Sequence, residues 1–243
     1  DMSNRVWIAC ANLTIASGAS IDVSEKGFEA GYGPGKGNTL SGSGYGGNGS
    51  EWFDSSDNYF YEGALPYGSI VAPINPGSGG AGAGYGNGGG AVCIEATGLV
   101  TVNGVIAANG GNVVNYSGGT GGGIYITCQT FTGSGVVQAN AGLITGGTKK
   151  GPSSGGRIAV VYSDAAAQNA LAKSRVTFSA SRGSIVTPLN VADLGTIYFA
   201  GTELLDETWL PHTGRVSWAG SSWNVASMTV SNGEIRFVAD GLQ

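Results

Sequence analysis

Charge is scarce in this chain: only 11% of its 243 residues are Asp, Glu, Lys or Arg, and the eleven cations are scattered rather than clustered. Without a basic stripe there is no electrostatic footprint for nucleic acid. Long apolar runs are also missing; none approaches the ~18 residues that a membrane-spanning helix needs, so no membrane insertion is expected. Histidine occurs once, as His212, and cysteine three times, as Cys10, Cys93 and Cys128. That set lacks the spacing of a zinc site, and no metal site is expected from it. No secretory leader is visible, but a chain opening Asp1-Met2-Ser3 reads as a processed product, so the absence of a leader is uninformative.

Glycine is abundant, with 46 residues against about 7% in ordinary proteins. Disordered chains combine high charge with few apolar residues. Here 41% of residues are hydrophobic and five are tryptophan. The glycines must therefore serve backbone geometry in a folded object.

Internal repetition points to the fold. One unit runs Gly88-Gly89-Gly90, Ala91 to Ala96, Leu99 to Val102 and Gly104 to Gly110; the next runs Gly121-Gly122-Gly123, Ile124 to Cys128, Phe131 and Gly135 to Gly142. A further unit opens at Gly155-Gly156 with Arg157 to Tyr162, and the first keeps Val6 to Cys10, Leu13 to Ile15 and Ser20 to Val23. Ala96, Cys128 and Tyr162 are equivalent and spaced 32 and 34 residues apart; Cys10 fits the same site if an insertion of roughly fifty residues intervenes. Short β-branched strands at a fixed period predict an all-β, right-handed parallel β-helix, in which each coil buries its inner face only by stacking. A sandwich or barrel would not require such similar units. The expected layout is a glycine-rich β-helix over 1–190 with an insertion at about 28–88, then further coils or a β cap over 191–243. One helix is expected over Asp164 to Lys173, capped by Asp164, and strands are expected at Gly195 to Phe199, Arg215 to Trp218 and Met228 to Val230.

At Tyr67-Gly68-Ser69 with Pro73, Gly77-Ser78-Gly79-Gly80, the triple-glycine strand openings and Gly155-Gly156-Arg157-Ile158-Ala159, the chain resembles glycine-rich β-helix repeat modules of large secreted and cell-surface proteins. The resemblance covers about residues 5 to 165. It implies the fold and a secreted or cell-surface location, and it carries no settled activity. That β-helices often bind or process polysaccharides is an analogy of fold only.

The segment from Glu51 to Glu62 is rich in aromatics and carboxylates for so uncharged a chain. Aromatic faces stack on sugar rings while acids accept hydroxyl hydrogen bonds. Trp52, Phe53, Asp54, Asp57, Tyr59, Tyr61 and Glu62 are therefore the candidate ligand-binding residues. Against this stands the reading that the aromatics pack the insertion onto the flank of the stack and leave the acids solvated. Asp54, Asp57 and Glu62 could also supply the carboxylate pair of a glycoside hydrolase. A lyase would want cations near them, and Lys149-Lys150 lies in a separate loop. Asp54 and Asp57 could share a calcium ion, although the loop lacks the EF-hand pattern; no other cofactor is implied. The glycine strings near Gly35-Lys36 do not form a phosphate loop.

The thiols are expected to be buried small hydrophobes, with Cys10 and Cys128 about 9–10 Å apart across Ala96 and so beyond disulfide reach. His212 is expected in an exposed loop. Asn12, Asn48 and Asn115 match the glycosylation acceptor pattern. The leading expectation is an extracellular scaffold module of a larger protein with a carbohydrate-binding surface. The alternatives are a polysaccharide-degrading enzyme and a subunit that associates end to end into a filament.

Overall fold

The computed structural model describes residues 5–56, 58–82, 84–146, 151–183, 191–205, 212–220 and 234–235. Asp57, Lys149, Lys150 and the expected Met228–Val230 strand lie outside them.

Among the described residues the fold is all-β with parallel sheets and one short helix. β1 (Arg5–Cys10), β2 (Leu13–Ile15) and β3 (Ser20–Asp22) enter three different sheets in turn. β6 (Ala91–Ala96), β7 (Leu99–Val102) and β8 (Val105–Ala107) then pair with them in the same order, as do β9 (Gly123–Cys128), β10 (Thr130–Gly133) and β11 (Val136–Gln138). β12 (Arg157–Tyr162) continues the first sheet and β13 (Thr177–Ser179) the third. β14 (Thr196–Phe199), β15 (Arg215–Trp218) and β16 (Glu234–Ile235) add to the first sheet in shorter steps. Every pairing in these three sheets is parallel, which requires a crossover between partners. From β1 to β12 the crossover is the run through the other two sheets.

Register explains the repeat. Val92, Ile124, Ile158, Ile197 and Val216 form one row, and Ile94, Ile126, Val160, Phe199 and Trp218 another. All lie in one hydrophobic cluster with Val100, Phe131, Ile106, Val137 and Phe178 of the other sheets. Alternation sends every second residue inward, so a single period of two gives rows of like residues three sheets deep. Cys10 pairs with Ala96, and Cys128 with Tyr162, as the spacing requires. All three thiols are free, and burial pushes the Cys128 thiol up to about 12.

The two edges of the stack differ. At the early end β1 borders no further strand among the described residues, and inward-facing Val6 is 37% exposed. At the far edge of the second sheet, the place beside β10 is taken by helix α1 (Ala165–Ala170). Asp164 caps it by accepting from the Ala167 N–H at 2.9 Å. The buried Gln168 turns its amide onto β10: Oε1 accepts from the Phe131 N–H (2.7 Å) and Nε2 donates to the Phe131 carbonyl (2.9 Å). One side chain thus supplies both hydrogen bonds that a neighbouring strand would have made.

His212 corrects the expectation of an exposed loop: it is only 6% exposed. Thr213 extends the third sheet past β13, bonding to Phe178 and Ala180. This turns His212 inward against Phe178 and Phe199. Its Nδ1 accepts from the Phe178 N–H at 3.3 Å. Burial lowers its pKa to about 4, so the fold holds it neutral while the unfolded chain takes the proton near pH 6.5. Its stabilisation is complete above about pH 6.5 and is lost progressively as pH falls to about 4, by about 3 kcal/mol in all. A His212→Gln variant should show a flatter acid limb in melting temperature against pH. An acid limb identical to that of the parent chain would contradict this.

The segment 28–88 divides in two. Its glycine- and serine-rich parts are docked along the stack without strand assignment. A strand in a sheet has at most two bonded neighbours, yet residues 86–90 share backbone hydrogen bonds with four separate stretches of chain, at 23–28, 77–80, 111 and 117–120. Only side chains as small as hydrogen let backbones approach this closely: a Cβ at Gly88 or Gly89 would fall on main chain of an adjacent segment. Buried seryl hydroxyls bind this layer together: Ser43 Oγ donates to the Gly79 carbonyl (2.8 Å), Ser153 Oγ to Gly118 (2.6 Å) and Ser117 Oγ to Gly151 (2.7 Å).

Candidate functional site

What remains exposed in the insertion is the aromatic segment. β4 (Trp52–Asp54) and β5 (Tyr59–Tyr61) form an antiparallel hairpin, the one antiparallel pair among the described strands. Aromatic residues favour strands, and the tip is set locally. Asp54 Oδ1 accepts from the Ser56 N–H (2.9 Å) and the Ser56 hydroxyl (2.6 Å). Asn58 adopts φ 53°, a left-handed conformation that Asn tolerates better than most residues. A lone two-stranded hairpin is marginal in water. This one is rooted in the glycine layer, where Ser50 donates to the Pro152 carbonyl, Gly49 to Ala64 and Ala64 to Gly42.

Register sorts the candidates. Trp52 faces Tyr61 and Asp54 faces Tyr59, so these four share one side of the ribbon; Phe53 and Phe60 share the other. The Tyr59 and Tyr61 rings meet edge to face with centroids 4.7 Å apart. Phe53, Tyr59 and Phe60 are 50%, 58% and 51% exposed. Water-facing aromatics on a rooted ribbon can offer ring faces to a flat, partly apolar ligand.

The carboxylates are not gathered. Glu62 lies just past the end of β5, three residues beyond Tyr59, the partner of Asp54, which at strand rise is roughly 10 Å along the chain. Asp54 is engaged in the hairpin tip, and Asp57 is outside the described residues. Among the described residues no three His, Cys, Asp or Glu side chains converge as metal ligands would, and no helix is long and apolar enough to cross a membrane.

One grouping escaped the sequence reading. The cations counted there as scattered include Arg157 and Arg215, which occupy the same register position on β12 and β15 with Thr196 of β14 between them. Both are buried. The signal was a recurring Gly-Arg followed by a β-branched residue, at Gly156-Arg157-Ile158 and Gly214-Arg215-Val216.

No protein-family model, no curated protein and no solved structure matches this chain.

Proposed function

We propose that this chain is a right-handed parallel β-helix module of a secreted or cell-surface protein, and that its 52–61 hairpin binds carbohydrate. Supporting the β-helix is the three-sheet order, in which each run through the second and third sheets returns to the first sheet one strand further on. Crossovers between parallel strands are right-handed in about 98% of cases, which gives the hand. An extracellular setting suits thiols that are separated or buried and therefore poor partners for exchange.

The observation that carries the binding reading is the exposure of Phe53, Tyr59 and Phe60 on a hairpin rooted in an otherwise tightly bonded layer. Exposed aromatics on both sides of one short ribbon mark it as an interaction element. A scaffold presenting such a ribbon needs no catalytic pair, and the separation of Asp54 from Glu62 favours binding over hydrolysis.

Affinity electrophoresis through gels containing plant, algal and animal polysaccharides tests it. One polymer should retard the intact chain. Trp52→Ala combined with Tyr59→Ala should weaken retention about tenfold or more, from about 0.5–1.5 kcal/mol per aromatic pair beyond area burial, while the melting temperature stays put. Passage unretarded through every gel would refute the reading, as would retention equal in the variant.

A further inference from the structure

Alternation along the first sheet places Ile158, Ile197 and Val216 in the core, so Arg157, Thr196 and Arg215, one residue earlier, lie on its outer surface. They are register partners on consecutive strands, which sets the two arginines two strand spacings apart, roughly 9–10 Å at their Cα atoms. The docked 28–88 segment covers them and leaves a cleft of about 150 Å³ walled by Pro66, Ile70 and Gly46 and floored by Arg157, Thr196 and Arg215. At ~30 Å³ per water in the liquid, this is room for about five waters, or for one small polyatomic ion and a water or two.

One charge in this cleft, that of Arg157, is buried without a carboxylate partner among the described residues. Arg157 is 4% exposed and Arg215 8%. Asp193 pairs with Arg215 Nη1 at 3.5 Å, and the same carboxylate oxygen also accepts from the Asn48 N–H (3.0 Å) and Nδ2 (3.1 Å). Among the described residues no carboxylate is paired with Arg157. Its Nε donates to the Tyr67 carbonyl (3.0 Å), its Nη1 to the Thr196 hydroxyl (3.2 Å), and its guanidinium lies 5.5 Å from the centre of the Tyr45 ring. That commits two of its five N–H groups. A guanidinium cannot escape burial by losing its proton, and a buried charge without a counter-charge costs several kcal/mol. Burial is the largest influence on the Arg157 pKa and pushes it down; Tyr45 and Tyr67 oppose this and the neighbouring Arg215 adds to it, and the net direction is down. Carbonyl clamps hold both side chains in place: Tyr67 accepts from Arg157 and Gly46 from Arg215. The forks are thus pre-organised before anything arrives.

We propose that the cleft between Arg157, Thr196 and Arg215 and the overlying Pro66–Ile70 loop is a binding site for a small oxyanion, a carboxylate or sulfate group. The planar guanidinium fork matches the oxygen spacing of such groups, and the Thr196 and Ser217 hydroxyls of the lining can orient it. The group could arrive as a free ion or as the pendant charge of an acidic polysaccharide. The chemistry recognised is the same in both cases.

Isothermal titration of the intact chain with sodium sulfate, sodium acetate, monomeric galacturonate and polygalacturonate, at constant ionic strength set with chloride, tests the proposal. At least one of these should bind saturably at a single site and raise the melting temperature with the logarithm of its concentration. Binding by a small ion identifies a free-oxyanion site. Binding by the polymer alone, retained when Tyr59→Ala is introduced in the hairpin, identifies a site for a carried group. Thr196→Val keeps the shape of the strand residue and removes the hydroxyl; it should weaken binding about tenfold. Ile70→Glu places a carboxylate at the mouth from a surface loop; it should abolish binding while the chain still melts cooperatively at or above the parent temperature. The proposal is overturned if no probe binds saturably, or if affinity is the same in the parent, Thr196→Val and Ile70→Glu chains.

Discussion

Gly122→Ala is expected to abolish the native fold or to lower its stability by at least about 3 kcal/mol. A Cβ at Gly122 would fall on the carbonyl oxygen of Gly90 and press on the backbone of Gly89. Overpacked methyl groups usually cost about 1–3 kcal/mol because side chains can shift. Here the obstruction is main chain of the adjacent segment, fixed by hydrogen bonds such as Gly90 N–H to the Val23 carbonyl (2.8 Å) and Gly89 N–H to the Thr120 carbonyl (2.9 Å). Against a total of about 5–15 kcal/mol the loss is decisive. Gly18→Ala is the internal comparison: it has open space around its Cβ but a φ of +82°, so it should cost only about 1 kcal/mol from the left-handed conformation. Urea unfolding of the two variants beside the parent checks this. If Gly122→Ala unfolds at the same midpoint as Gly18→Ala, close approach of backbones is not what the glycines serve.

Gln168→Ala should cost about 2–5 kcal/mol, far more than a helix-surface substitution. It strands both the N–H and the carbonyl of the fully buried Phe131, at about 1–3 kcal/mol for each unsatisfied group. Alanine is the better helix former, so helix propensity runs the other way and cannot account for a loss. Gln168→Glu keeps an acceptor for the N–H but sets a carboxylate against the Phe131 carbonyl. It should recover part of its stability at pH low enough to protonate the acid. Native-state hydrogen exchange at the Phe131 amide reads the effect locally, and protection unchanged in Gln168→Ala would show that the helix shields β10 by bulk alone.

Much of the scaffold was legible because parallel stacking converts a sequence period into register. Ala96, Cys128 and Tyr162 could be aligned by counting, and they occupy one row. The helix was legible from its cap and alanines, although it ends at Ala170, short of the Lys173 that composition suggested. The glycine layer was not legible. Its segments bond to partners at irregular separations, such as Ser43 with Ser154 and Gly46 with Gly155, and no alternation announces them. His212 was misread for a related reason: its inward turn depends on Thr213 joining a sheet whose preceding strand is far away in sequence. The aromatic ribbon was visible as composition, but the division of its residues between two sides came only with the hairpin register. The paired arginines were hidden by distance along the chain and revealed by adjacency across strands.

The glycine layer also has a calorimetric meaning. Most folded proteins gain heat capacity on melting because hydrocarbon meets water, at about +0.45 cal/K/mol per Å², whereas freshly wetted peptide groups subtract about 0.26. A layer built from glycine backbone and seryl hydroxyls releases chiefly peptide surface. The whole chain should therefore melt with a heat-capacity increment below the usual ~12–15 cal/mol/K per residue, and scanning calorimetry at several pH values would return an ordinary increment if the layer were unformed. A smaller increment flattens the dependence of stability on temperature. A fold that fills part of its interior with backbone instead of oil should then lose little of its strength in the cold.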